Sequence, residues 1–152
     1  MNDKSIRPTL PGGAGMTEGL RIIGTTRLRR NHTQYLIAVD GRQAYLSPRM
    51  FEYLLVLANN GQNWVYKGDL EPGFNQARYI YRLRAELTKQ GIDMRFDNNG
   101  LGYYRLPASI HPIVIEWGSL LEYPHATIAQ IAREAIGKTI ETLKRKGVID
   151  VH

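Results

Sequence analysis

Residues 46–106 decide the fold, and they read in three pieces: LSPRMFEYLLVLA at 46–58, ARYIYRLRAEL at 77–87 and FDNNGLGYYRL at 96–106. Ser47-Pro48 marks a helix start, with serine at the N-cap and proline at the first helical position. Met50, Phe51, Leu54, Leu55, Leu57 and Ala58 then recur as a broad apolar stripe until Asn59-Asn60-Gly61 stops the helix. The second piece predicts a helix from about Asn75 to Gln90, ended by Gly91. Ala77, Ile80, Leu83 and Leu87 share one face with Arg84 at its border, so the apolar members dock on the first helix. Arg78, Arg82, Ala85 and Lys89 fall on the opposite face. The third piece predicts a hairpin, with strand IDMRF at 92–96, turn DNNG at 97–100 and strand LGYYRL at 101–106. Asn98, Asn99 and Gly100 tolerate the positive φ that a tight turn demands. Two helices followed by a β-hairpin wing form a shape that fits duplex DNA.

Upstream, RIIGTTRLRR and TQYLIAVD are β-branched and partly alternating, and Asp40-Gly41 is a strong hairpin turn before RQAYL. Three or four short antiparallel strands are expected between Leu20 and Tyr45. Residues 1–19 read as a flexible leader, punctuated by Pro8, Pro11, Gly12, Gly13 and Gly15. Downstream, HPIVIEW looks like a strand and SLLEY like a short helical turn. From Thr127 to Lys146 an isoleucine-rich stripe repeats at helical spacing, predicting a long amphipathic helix capped by Gly147. The expected class is α+β: a winged helix-turn-helix at 20–106 with an N-terminal antiparallel sheet and a C-terminal hairpin wing, then an extension at 107–152 that carries the amphipathic helix.

The 152 residues allow one ordinary domain, or a small one with an appendage. A hydrophobic fraction of 43% with 22% charged residues is that of a folded chain. The longest apolar runs fall far short of the roughly 20 residues needed to cross a bilayer. The start lacks an apolar h-region, so the expected setting is cytoplasmic, against the nucleoid. The absence of cysteine excludes disulfides and thiolate zinc sites. A formal charge of +6 and a pI near 9.7 favour a polyanionic partner.

Three motifs in order resemble the winged-helix DNA-binding domain of OmpR/PhoB-type response regulators. Leu46-Ser47-Pro48-Arg49-Met50-Phe51-Glu52-Tyr53-Leu54-Leu55 is similar to that family's L-T-P opening of the first helix. Arg82-Leu83-Arg84-Ala85-Glu86-Leu87 matches its R-L-R-x-x-L, and Gly100-Leu101-Gly102-Tyr103 its G-x-G-Y wing ending. The likeness covers about Leu20 to Leu106 and implies a double-stranded DNA partner and no enzymatic step. It departs from the family in three places. Only the leader precedes the sheet, where the family has a receiver domain, so the expectation is a stand-alone transcription regulator. The segment between the two helices is short, which leaves RNA polymerase contact open. Asn99 stands where an arginine commonly precedes the wing motif.

The resemblance and the helix geometry together place Asn75 to Leu87 in the major groove. Arg78 and Arg82 would fork onto guanine O6 and N7, with Asn75 and Tyr79 meeting base edges or thymine methyls. Arg84, Lys89, Arg95 and Arg49 are phosphate candidates, which set register without reading sequence. Asn98 and Asn99 would reach the minor groove from the wing tip, and Tyr81 either joins the surface or packs on the sheet.

Other chemistry is set aside. Gly137-Lys138-Thr139 lacks the earlier glycine of a phosphate loop and lies within the last helix. His32, His111, His125 and His152 have no ligand spacing, and no catalytic grouping or cofactor motif stands out. The stripe Ile128, Ile131, Ala135, Ile136, Ile140 and Leu143 must be covered by the chain's own core or by a second copy, and both remain open. Two rivals share the fold: a protein-interaction module and a sequence-indifferent architectural DNA binder.

Overall fold

A computed structural model describes residues 19–66, 76–124 and 126–147. Three antiparallel strands come first: β1 (Leu20–Arg29), β2 (His32–Val39) and β3 (Arg42–Leu46). Two-residue turns join them, with Arg30 and Asn31 at φ 52° and 66°, and Asp40 and Gly41 at 49° and 84°. Such paired positive φ values match the twist of the strands they connect.

The sheet has a fourth member. Strand β7 (Ile113–Ile115) lies parallel to β1, pairing Leu20 with Ile113 and Ile22 with Ile115, so the order is β3-β2-β1-β7. The 107–124 segment thus closes an edge that β1 would otherwise leave open. Gly19 makes the close approach possible: at φ +73° it lies against the Pro112 backbone, where a Cβ would stand 1.9 Å from the carbonyl oxygen. The β1–β2 register shifts between Ile22 and Thr26, and Gly24 lies at that bulge with φ +82° under the Leu120 side chain.

Helix α1 (Pro48–Asn59) buries Met50, Phe51, Tyr53, Leu54, Leu55, Leu57 and Ala58. Ser47 holds the N-cap position with extended backbone, but its hydroxyl caps nothing in α1. It donates instead to Glu86 of the next helix. After β4 (Val65–Tyr66) comes α2 (Gln76–Lys89), whose Ile80, Leu83 and Leu87 are buried against α1. Residues 67–75, between β4 and α2, lie outside the described residues.

The hairpin differs in detail from the sequence expectation. IDMRF at 92–96 forms no strand; the paired residues are β5 (Asp97–Asn98) and β6 (Tyr103–Arg105), with β4 on the other side of β6. Ile92 and Met94 are both buried, so the alternation is real. Their burial, not a hydrogen-bonded ladder, accounts for it. Likewise the short helix is α3 (Trp117–Leu120), two residues earlier than SLLEY suggests. Helix α4 (Ala126–Arg145) packs chiefly on α3 and ends at Gly147, φ 72°.

The architecture is therefore mixed α+β, with a four-stranded sheet, a three-stranded sheet and four helices among the described residues. One hydrophobic core runs from Leu20 to Ala132 and includes Ile110, Leu120, Tyr123 and Ile128. The residues beyond 107 thus contribute a strand to the sheet and side chains to that core. At its centre, the rings of Tyr35, Phe51 and Tyr123 lie within 5.6 Å of one another, and the Tyr123 hydroxyl donates to Glu52 Oε2 at 3.4 Å.

Candidate nucleic-acid interface

Helix α2 is held from two sides. Its apolar face rests on α1, while its polar edge grips the end of β3. Gln90 accepts from the Tyr45 N–H and donates to the Tyr45 carbonyl, both at 2.8 Å, acting as a surrogate strand. Glu86 accepts from the Ser47 hydroxyl at 3.0 Å and from its N–H at 3.3 Å. A rigidly mounted helix can present its other side at fixed geometry.

That other side is polar and open. Tyr81 is 74% exposed, and Arg82, Arg84, Ala85 and Lys89 are exposed with it. Tyr81 therefore joins the outward surface and does not pack on the sheet. Tyr79 has a different place: half-buried, it stands edge-on to Tyr53 at 5.2 Å, with the guanidinium groups of Arg82 and Arg49 at 5.6 and 5.7 Å from its ring centre. It organises two cations in one strip, which cation–π attraction favours. Arg78 is on α2, but its side chain, like all of Asn75, lies outside the described residues.

Two phosphate candidates share one carboxylate. Asp93 lies 3.7 Å from Arg84 and 3.4 Å from Arg95, all three well exposed. Exposed pairs of this kind hold by only about 0–1 kcal/mol, so neither guanidinium is strongly tied to the carboxylate. At the hairpin tip, Asn98 Oδ1 accepts from the Gly100 N–H at 2.7 Å, and Asn99 Oδ1 from the Leu101 and Tyr103 N–H groups at 2.7 and 3.3 Å. Both asparagines shape the turn and keep only their amide nitrogens for a ligand.

The sequence pattern missed one feature of the hairpin. Trp64, Tyr66, Tyr103 and Arg105 share the outer face of the three-stranded sheet. Arg105 lies 4.1 Å over the Trp64 ring and 2.9 Å from Asp97, and the two tyrosine rings are 5.2 Å apart. The signal was the alternation of Trp64 and Tyr66 across Val65, once the partner strand is known.

The stripe on α4 divides. Ile128 and Ala132 lie in the core, Ile131, Ala135, Ile136 and Leu143 are half-buried, and Ile140 is 42% exposed. Gly137-Lys138-Thr139 lies inside this helix, where no phosphate loop can form. Among the described residues, no three His, Asp or Glu side chains cluster to hold a metal, and no helix is long and apolar enough to cross a membrane.

A cleft of about 440 Å³ opens between His32, Tyr35, Glu52 and Tyr123. Burial pushes the Tyr123 phenol far up, and the Glu52 carboxylate adds to the shift. Burial also raises Tyr35, against a hydrogen bond from Tyr123 that lowers it. Both phenols stay protonated at neutral pH, so neither is an activated nucleophile or base.

Comparison with protein-family models, with curated proteins and with solved structures finds no match for this chain.

Proposed function

We propose that this chain is a sequence-specific double-stranded DNA-binding protein, a transcription regulator of winged-helix type with α2 in the major groove and the hairpin of β5 and β6 as its wing. One observation carries the reading: an exposed basic face, Tyr81, Arg82, Arg84 and Lys89, on a helix whose opposite side is locked to α1 and β3. A major groove about 12 Å wide admits such a helix, and an outward arginine has the fork that guanine O6 and N7 require. The order α1, α2, hairpin is the one the OmpR/PhoB resemblance calls for. In this reading no chemical step is catalysed.

Selection of binding sites from random duplexes tests it. An enriched motif supports the proposal; retention of unrelated sequences with equal affinity favours an architectural binder instead. A palindromic motif would mean that two copies read it together. Ile136, Ile140 and Leu143 on the outer half of α4 would then be the surface available for pairing.

A second reading has its own observation, the part-exposed rings of Trp64, Tyr66 and Tyr103 on one sheet face. Aromatic surfaces of this kind are enriched at protein interfaces. Salt separates the two: binding to DNA weakens steeply as salt rises, because phosphate contacts release counterions.

A further inference from the structure

The β1–β2 ribbon changes character at its bulge. Before it, Leu20 and Ile22 are buried in the core; beyond it, the residues from Thr25 to Thr33 other than Arg27 are exposed, and Leu28 is 70% exposed. The outer half of the ribbon, Arg27 apart, is therefore open to solvent. From Thr25 to Tyr35 it carries Arg27, Arg29 and Arg30 and no acidic residue.

The three arginines are used differently. Arg27 donates to Gln34 Oε1 at 2.8 Å and stacks 3.9 Å over the Tyr45 ring, which braces the ribbon against β3. Among the described residues, Arg29 and Arg30 take part in no ion pair or side-chain hydrogen bond. They overhang a cleft of about 350 Å³ whose other wall includes Ser47 and Pro48 at the start of α1. The positive end of the α1 dipole opens on the same cleft.

This places them beside the surface already described. Ser47 is bonded to Glu86 on α2, and Arg49, the next residue but one, shares the Tyr79 ring with Arg82. Arg82 and Arg49 thus flank Tyr79, and Pro48, next to Arg49 in the chain, lines the cleft with Arg29 and Arg30, while the Glu86 carboxylate bonded to Ser47 is the acidic group among them. We infer that the ribbon tip is a second nucleic-acid contact, in which Arg29 and Arg30 bind backbone phosphates of the duplex flanking the bases read by α2. The occupant is a polyanion because the tip carries Arg29 and Arg30 with no acidic residue from Thr25 to Tyr35, and Leu28 is its one large exposed apolar side chain. It is backbone and not base edge because, among the described residues, no side chain fixes either guanidinium for bidentate readout. The inference rests on the DNA-binding reading and extends its footprint.

Arg29→Gln/Arg30→Gln in the full chain tests it, measured by fluorescence anisotropy on a selected duplex and on a scrambled one across a salt series. Two lost phosphate contacts lower the slope of log K against log salt by about 1.8, and affinity falls equally on both duplexes. Arg29→Lys/Arg30→Lys keeps the slope, since a phosphate accepts either cation. Both positions are exposed, so thermal melting of the variants is unchanged. If Arg82→Ala weakens binding while the glutamine pair leaves affinity and slope as they were, the ribbon contact is refuted and the α2 reading survives. If the wild-type chain binds no duplex, both fail.

Discussion

Ser47 spends its hydroxyl on a neighbour: Oγ donates to Glu86 Oε2 at 3.0 Å, while its own N–H reaches Oε1 at 3.3 Å. A residue that looks like an N-cap for α1 thus becomes the clasp between α1 and α2. Each bond contributes about 0.5–1.5 kcal/mol, more where the acceptor is charged. Ser47→Ala should lower unfolding free energy by about 1 kcal/mol and Glu86→Ala by about 1–3 kcal/mol. Denaturant melts of the double variant should fall short of the sum, because both changes break one interaction. Strict additivity would show that the clasp is not a unit.

Gly24 is a second point of stress. Its φ of +82° excludes a relaxed side chain, and a Cβ there would meet Leu120 Cδ2 at 2.8 Å. Gly24→Ala should cost about 1–3 kcal/mol, read as a drop in melting temperature. Gly100, equally left-handed but in open space, should lose only the backbone part on the same substitution.

Alkaline stability should report the aromatic centre. The ordinary phenol value is 10.0, and Tyr35 and Tyr123 are both held above it by burial. Below pH 10 their contribution is complete. As pH climbs past 10 the unfolded chain releases protons that the folded chain keeps, so stability falls, by at most about 1.4 kcal/mol per pH unit for each proton retained. Tyr123→Phe should make that decline shallower, although it is less stable at pH 7 by about 0.5–1.5 kcal/mol for the lost hydrogen bond. An unchanged alkaline slope would mean that the phenols ionise freely.

Asp93 should act as a brake on binding. It neutralises part of the charge of Arg84 and Arg95, which duplex phosphates would otherwise meet directly. Asp93→Asn should tighten DNA binding by about 0.5–1 kcal/mol, or roughly two- to fivefold in Kd, with the largest gain at low salt. Weaker binding in the variant would place Asp93 among groups that touch the ligand favourably.

The parts of this molecule that could be read in advance are those governed by local periodicity. The stripes of α1, α2 and α4 and the Asp40-Gly41 turn each lie within a few residues of their cause. Strand β7 was visible in HPIVIEW, but not its partner: Ile113 meets Leu20 across most of the chain, in parallel, and no short-range pattern encodes that pairing. Ile92 and Met94 misled because alternating burial looks the same whether or not a ladder forms. At the site, helical phase put Arg82, Ala85 and Lys89 on the open face of α2, while it left Tyr81 undecided and set Arg84 at the border of the core. The role of Tyr79 between two arginines, and the reach of Arg29 and Arg30 toward Pro48, depend on elements that only folding brings together.

If α2 reads base pairs as proposed, the exposed Arg82 on its outward face should carry part of that reading. The most direct test compares wild type and Arg82→Ala on the selected duplex and on a scrambled one at fixed salt. A loss of about 1–3 kcal/mol on the selected site, with little change on the scrambled one, is the predicted result. Equal binding of both proteins to both duplexes would contradict the account.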